Sequence, residues 1–194
     1  MSRARALAGA AGPAAFVATW AVLGSRAKGY SPVQEPISRL AAAGTRTQPM
    51  MTAGLLALGA GVAAYSDELR GALPGRAGTA ALVSAAATIG IAATPMDSAI
   101  GGAPHVVAAG LTYASLASTP LIASRALSAE HRGVAVASAV AGVAAGTCLA
   151  MSTVSKTRTG LWQRVGLTIG HTWTAASAIW LARQRHPQAQ TAVT

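Results

Sequence analysis

Six long apolar stretches constrain this chain more than any other feature of its sequence. Each is 17 to 22 residues long, and they cover residues 7–24, 49–65, 79–96, 105–123, 134–152 and 161–182. A bilayer has a hydrocarbon core about 30 Å thick, and a helix needs about 20 apolar residues to cross it. Because unpaired backbone groups cost several kcal/mol in lipid, such stretches cross as helices. The sequence therefore predicts an all-α integral membrane bundle of six transmembrane helices.

The composition agrees with lipid as the main solvent. Only 10% of the residues are charged and 52% are hydrophobic, whereas a soluble globular domain has about 25% charged residues. Nearly all the charges fall in the short segments between the apolar stretches. We expect one transmembrane domain over residues 1–186, followed by a disordered C-terminal tail over residues 187–194.

Small residues are frequent in the apolar stretches, so helix packing is expected to come from close approach of the backbones. Glycines spaced four residues apart occur in the fifth and sixth stretches, at Gly142 and Gly146 and at Gly166 and Gly170. The last two helices are therefore candidates for tight contact with their neighbours.

The first connection, residues 25–48, is much longer than the others. Within it, Glu35 and Pro36 are typical of a helix start, and Gly44 is typical of a stop. The apolar side chains share one face of such a helix, while Arg39 points elsewhere; they are Ile37, Leu40 and Ala41. This pattern predicts a short interfacial helix that lies along the membrane surface.

The N-terminal stretch follows Arg3 and Arg5, which is also the layout of a signal peptide. Its length, and Trp20 near its far end, favour a retained helix. The high Ala content and the excess of Arg over Lys indicate a bacterial genome rich in GC. We therefore expect a bacterial cytoplasmic (plasma) membrane protein.

Six spans place both termini on one side of the membrane, and we expect that side to be the cytoplasm because the loop after Asp97 lacks basic residues. The basic residues then on the cytoplasmic side are Arg3, Arg5, Arg70, Arg76, Arg125, Arg132, Arg183 and Arg185. The opposite side has Arg26, Lys28, Arg39, Arg46, Lys156 and Arg158.

Several classes of function lack their usual parts. The net charge is +10, but the basic residues are scattered in pairs and form no continuous stripe, so no nucleic-acid partner is expected. The single cysteine, Cys148, excludes an intramolecular disulfide and a thiol metal cluster. No nucleophile elbow, zinc helix or phosphate loop is present. We expect no metal and no cofactor, with membrane lipids and a lipid-like small molecule as partners and the oligomeric state left open.

Ionisable residues converge at one predicted membrane face. Asp97 and His105 flank the short connection 98–104, so the carboxylate is placed to orient the imidazole or to raise its pKa. The first loop and the start of the sixth helix belong to the same face. The predicted cluster is Glu35, Ser38, Asp97, His105 and Arg164, with Arg164 paired to Asp97 or Glu35.

His171 lies two helical turns beyond Arg164 on the same helix face, where it would form the floor of the cavity. The alternatives are structural. One alternative to a ligand site is a clasp that holds the long loop over the bundle, and the alternative for His171 is a hydrogen bond to a neighbouring helix.

At these residues the chain resembles a bacterial membrane-protein family catalogued as domain of unknown function 998. The matching segments are Tyr30-Ser31-Pro32-Val33, Ile37-Ser38-Arg39-Leu40-Ala41, Thr94-Pro95-Met96-Asp97 with His105 eight positions later, and Gly160-Leu161-Trp162-Gln163-Arg164. The resemblance implies a six-helix bundle and a unit formed by the long loop, Asp97 and His105. It implies no activity.

Three hypotheses follow. The first is a non-enzymatic membrane protein whose polar cluster shapes a lipid or small-ligand cleft at the outer face. The second is a membrane-embedded enzyme on a lipid or isoprenoid substrate, with Asp97 and His105 in acid–base roles and Arg164 on an anionic head group. The third is a small transporter, whose available lining residues are Thr88, Thr112, Ser115, Thr147 and His171.

Overall fold

Each of the six apolar stretches forms an α-helix in the computed structural model, which describes residues 2–127 and 131–184. The helices are α1 Arg3–Arg26, α2 Gln48–Ala72, α3 Ala77–Ala93, α4 Gly102–Leu127, α5 Arg132–Val154 and α6 Thr159–Arg183. A 3-10 helix, Ile37–Ala41, lies between α1 and α2. The described ranges contain no strand, which confirms the all-α prediction. The predicted tail at 187–194 lies outside these ranges.

The end of α2 differs most from the prediction. The helix continues to Ala72 instead of stopping at residue 65, because its last turns are amphipathic rather than uniformly apolar. Glu68 in these turns is only 1% exposed, and its carboxylate accepts a hydrogen bond of 2.8 Å from the backbone N–H of Ser2. Glu68 lies outside the apolar stretch 49–65 but inside the helix that extends it.

The helices form a closed ring. Each packs against the next in the sequence, and α6 returns to pack against α1. The helix α6 also touches α2 and α4 across the interior. At one end of the ring α1, α3 and α5 finish and α2, α4 and α6 begin, and we call this the cap end. All the residues predicted to form the polar cluster belong to elements that meet there.

The ring has an apolar outside and a small, partly polar inside. Bulky side chains exposed on the outer surface include Val106, Val107, Leu111, Val136, Val140 and Val143. Buried hydroxyl side chains include Ser84, Thr88, Thr112, Ser115, Thr119 and Ser138. Several of these hydroxyls donate to a carbonyl four residues earlier, as Thr119 does to Ser115 at 2.7 Å. Small residues and satisfied hydroxyls between helices, with bulky apolar residues outside, are typical of packing in lipid.

Four of the helices, α1, α2, α4 and α5, are long and apolar enough to cross a membrane by length and composition. The helix α3 is apolar but has only 17 residues. The helix α6 has 25 residues, and its polar side chains Gln163, Arg164, His171 and Thr174 are buried in the ring. The mean hydropathy of the whole of α6 is therefore lower than the hydropathy of its outward-facing side chains alone.

Glycines allow the closest helix approaches. A Cβ atom added to Gly142, Gly166 or Gly170 would come within 2.6–2.7 Å of a leucine side chain on the neighbouring helix, as predicted for α5 and α6. A Cβ at Gly146 would lie at an ordinary contact distance of 3.4 Å from the Cβ of Ala117. The α1–α2 contact, which the spacing did not single out, is tighter still: a Cβ at Gly61 would lie 2.5 Å from the carbonyl oxygen of Ala8.

The substitution Gly61→Ala should therefore destabilise the ring by about 1–3 kcal/mol, because the atoms in its way are backbone atoms that cannot rotate aside. Gly110 is the matched control, since a Cβ there meets nothing within 4 Å. In a helix, alanine at such an open site gains up to about 1 kcal/mol over glycine. Thermal unfolding in detergent should show a lower Tm for Gly61→Ala only; equal shifts for both variants would contradict this packing.

Candidate functional site

A segment that we call the cap, residues 27–47, closes the cap end of the ring. Its 3-10 helix buries Ile37, Leu40 and Ala41, while Arg39 is exposed, so the predicted division of faces is confirmed. The element is shorter than expected and packs on α1, α2 and α6.

The boundary signals act differently from the prediction. Pro36 precedes the helix, and the Glu35 carboxylate accepts the Ser31 N–H at 2.8 Å, so that it stabilises the preceding turn rather than the helix start. Gly44 has a φ of +78°, which favours glycine, and it lies in the turn that follows the 3-10 helix.

Arg164 holds the cap in place from the first turns of α6. Its Nη1 donates to the carbonyl oxygens of Pro32 at 2.5 Å, Glu35 at 3.0 Å and Gly160 at 3.0 Å. Its Nη2 donates to the Tyr30 hydroxyl. Arg164 is 8% exposed. A charged donor that serves several carbonyls from a buried position is a strong tether, because charge-assisted hydrogen bonds contribute about 1.5–3 kcal/mol each.

The guanidinium of Arg164 also lies over two aromatic rings. Its Cζ is 5.4 Å from the ring centroids of Trp20 and Tyr30, a distance at which a cation is attracted to the ring face. The Asp97 carboxylate pairs with Arg39, and the Glu35 carboxylate accepts the Ser31 N–H. The prediction that Arg164 pairs with Asp97 or Glu35 is therefore wrong: backbone carbonyls and aromatic faces take the place of a carboxylate.

The tether does not depend on a group that titrates near neutral pH. Arginine stays protonated, and burial raises the pKa of the Tyr30 phenol above its usual 10, although Arg164 opposes this shift. A tyrosine with a raised pKa is favoured neutral in the folded state, so its contribution to stability is complete below pH 10 and is lost only as the pH rises further.

Two residues in the turn of α6 before Arg164 complete the attachment of the cap. Gly160 must lack a side chain, because a Cβ there would lie 2.5 Å from the Pro32 carbonyl oxygen. The Leu161 N–H donates to the Val33 carbonyl at 3.0 Å. The backbone of the cap thus rests directly on the start of α6.

Gln163 is a site residue that the sequence reasoning left without a role. Its Oε1 accepts the Ile37 N–H at 2.7 Å, and its Nε2 donates to the Tyr113 hydroxyl at 2.5 Å. One buried side chain therefore joins the cap to α4. The only sequence signal for it was its position in the segment Gly160-Leu161-Trp162-Gln163-Arg164.

Asp97 and His105 are not partners of each other. The Asp97 carboxylate pairs with Arg39 at 3.0 Å, with 48% and 59% of the Arg39 and Asp97 side chains exposed. The His105 Nδ1 lies 2.8 Å from the Thr94 carbonyl oxygen. The carbonyl, rather than a carboxylate, therefore orients the imidazole, and the predicted Asp97–His105 interaction is wrong.

The predicted cluster is divided between two cavities. The first, which we call the outer groove, has a volume of about 630 Å³ and is lined by residues that include Glu35 and Asp97. The second, which we call the inner cavity, has a volume of about 60 Å³ inside the ring and is lined by residues that include Ser38, His105 and His171. The two candidate catalytic side chains, Asp97 and His105, therefore line different cavities.

The residues considered for a transport path are also separated. Thr88, Thr112 and His171 line the inner cavity, and Ser115 is buried. Thr147 lies on the exposed side of α5. These residues therefore do not line one continuous path through the ring.

The fold and the site define a class of protein: a ring of helices rich in small residues, with four helices apolar enough to cross a membrane and one end closed by a tethered cap. A family model described as "Protein of unknown function (DUF998)" matches residues 10–180. The chain therefore belongs to this family, and the resemblance seen in its motifs is confirmed. The search of curated proteins and the search of solved structures gave no match.

The tether predicts a specific loss for Arg164→Lys. A lysine ammonium is a single point and cannot serve the cap carbonyls and Tyr30 together, so we expect a loss of about 2–3 kcal/mol and faster proteolysis of residues 27–47. The control is Arg158→Lys, the same change at an exposed position of the same end. Equal Tm values and equal proteolysis rates for the two variants would show that Arg164 does not hold the cap.

Asp97 has a φ of +63°, a conformation that asparagine and aspartate tolerate and that costs other side chains about 1–2 kcal/mol. The exposed ion pair with Arg39 contributes little. Asp97→Asn should therefore leave the Tm nearly unchanged, whereas Asp97→Ala should lower the stability by about 1 kcal/mol. If Asp97→Asn lowers the Tm as much as Asp97→Ala does, the charge of the carboxylate contributes more to stability than the backbone conformation at residue 97.

Proposed function

We propose that this chain is a non-enzymatic, six-span membrane protein whose outer groove binds the anionic head group of a lipid. The observation that carries the proposal is the charge of the groove. Its lining includes four basic side chains and two acidic ones: Arg26, Lys28, Arg39, Arg46, Glu35 and Asp97. A basic groove at the level where helices leave the membrane suits a phosphate head group.

The groove is also amphipathic. Leu23, Ala27, Leu40 and Ala42 supply apolar wall beside the basic residues, so that a glycerol or acyl segment has a surface to lie on. The Arg39–Asp97 pair is exposed, and an exposed ion pair costs little to open. Arg39 is therefore free to exchange its partner for a phosphate oxygen without disturbing the fold.

In this proposal all six helices cross the membrane, and the 3-10 helix Ile37–Ala41 lies at the interface. Support comes from α6, which buries its polar side chains in the ring and presents Leu161, Val165 and Ile179 outward. The helix α3 would extend its span with the segment that follows Ala93. Both termini lie in the cytoplasm of a bacterial cell, since the connection 98–104 at the cap end has no basic residue.

The test removes charge from the groove without changing its ion pair. Lys28→Gln combined with Arg46→Gln should weaken binding of short-chain phosphatidylglycerol, titrated into the protein in detergent micelles, about thirtyfold, because each basic group near an anionic surface contributes about 1 kcal/mol. Binding to phosphatidylcholine should not change. The control is Lys156→Gln with Arg158→Gln, which removes the same charge from the same end but outside the groove.

Tm and monodispersity of both double variants should match the wild type, because the four side chains are exposed. If the two pairs weaken phosphatidylglycerol binding equally, the attraction is a general effect of net charge and the groove is not a site. If neither does, the proposal fails.

A further inference from the structure

The inner cavity contains a polar group that the attachment of the cap does not use. His171 is 4% exposed, and both of its ring nitrogens are buried without a hydrogen-bond partner. A neutral imidazole has one N–H donor and one acceptor nitrogen, and each is costly to bury unpaired. Its described neighbours include the ring of Phe16, edge to face at 5.8 Å, which gives neither nitrogen a partner. We therefore expect the cavity to contain a molecule that forms hydrogen bonds with His171.

The cavity has room for a small occupant. Its volume is about 60 Å³, and one water molecule needs about 10–15 Å³ on this measure. Most of the wall is aliphatic, with Met51, Leu55, Leu58, Ile91 and Leu167 among the lining residues. An ion would lose its hydration in such surroundings without a counter-charge, so a neutral group is favoured.

Several other polar side chains of the wall have partners of their own. Gln163 bonds to the Ile37 N–H and to the Tyr113 hydroxyl, and Thr112 donates to the Ala108 carbonyl at 3.0 Å. His105 bonds through Nδ1 to the Thr94 carbonyl. Among the described wall residues, His171 is thus the one whose polar side-chain atoms are buried without a hydrogen-bond partner.

We propose that the inner cavity binds a small neutral alcohol, or the hydroxyl end of an amphipathic molecule, with His171 as the recognising side chain. A hydroxyl donates one hydrogen bond and accepts others, so it matches the donor and the acceptor of the imidazole together. The aliphatic wall takes the carbon atoms next to the hydroxyl. This site is separate from the outer groove and goes beyond the binding of head groups there.

The experiment compares two isomers, 1-butanol and diethyl ether, which have the same atoms but differ in the ability to donate a hydrogen bond. Wild-type protein with 15N-labelled histidine in detergent micelles is titrated with each. The ring nitrogen resonances of His171 should move saturably with 1-butanol, at a concentration at least tenfold lower than with diethyl ether. His131, which precedes α5 at the other end of the ring, should not respond.

A variant gives a second readout. In a thermal-shift titration, the preference for 1-butanol over diethyl ether should disappear in His171→Phe, which keeps an aromatic ring beside Phe16. It should persist in His131→Phe, the same substitution at an exposed position outside the cavity, and in the Lys28→Gln, Arg46→Gln protein, whose changes lie in the outer groove.

Three results would overturn the proposal. The first is equal affinity for the two isomers, or a response that never saturates, which indicates partition into the micelle. The second is a preference that survives in His171→Phe. The third is a His171 signal that indicates a hydrogen-bonded ring from the start and is unmoved by 1-butanol, which would mean that buried water alone fills the cavity. None of these results bears on the outer groove.

Discussion

The structure of the cap end depends on the interactions that compensate the buried charge of Arg164. A guanidinium inside a helical ring needs compensation, and here the compensation comes from three backbone carbonyls, a tyrosine hydroxyl and two aromatic rings. Two of those carbonyls belong to the cap. The need to satisfy one charge therefore fixes a long connection that has little regular structure of its own.

The position of the cap decides the shape of both cavities. Its 3-10 helix contributes Ile37, Ser38 and Ala41 to the roof of the inner cavity, and its other residues form much of the wall of the outer groove. The cap thus separates an aliphatic interior from a basic exterior. A change in the tether would alter both cavities together, although Arg164 itself lines neither of them.

The helical architecture could be predicted because it follows from the lengths of the apolar stretches. The helix ends were less certain, since α2 continues through a charged, amphipathic segment that hydropathy alone assigns to a loop. The convergence of the long loop with the start of α6 was also visible in the sequence. The partners of Arg164 were not, because backbone carbonyls have no residue signature and every residue provides one.

Asp97 shows a second limit of the sequence. An acidic residue near a histidine suggests acid–base chemistry, yet here the backbone turns with φ of +63° at Asp97 and the side chain points to Arg39. Only the three-dimensional path of the chain separates the two cavities. His171 lines the inner cavity, and the structure adds that both of its nitrogens lack partners.

Hydrogen exchange of the wild-type protein in lipid nanodiscs tests the central claim most directly. If the cap is held as described, the amide hydrogens of Ile37, Leu161 and Ala43, which bond to Gln163, Val33 and Met96, should exchange orders of magnitude more slowly than in an unstructured peptide. Exchange of these three amides at the rate of an unstructured chain would contradict the tethered cap and, with it, the two cavities that the cap defines.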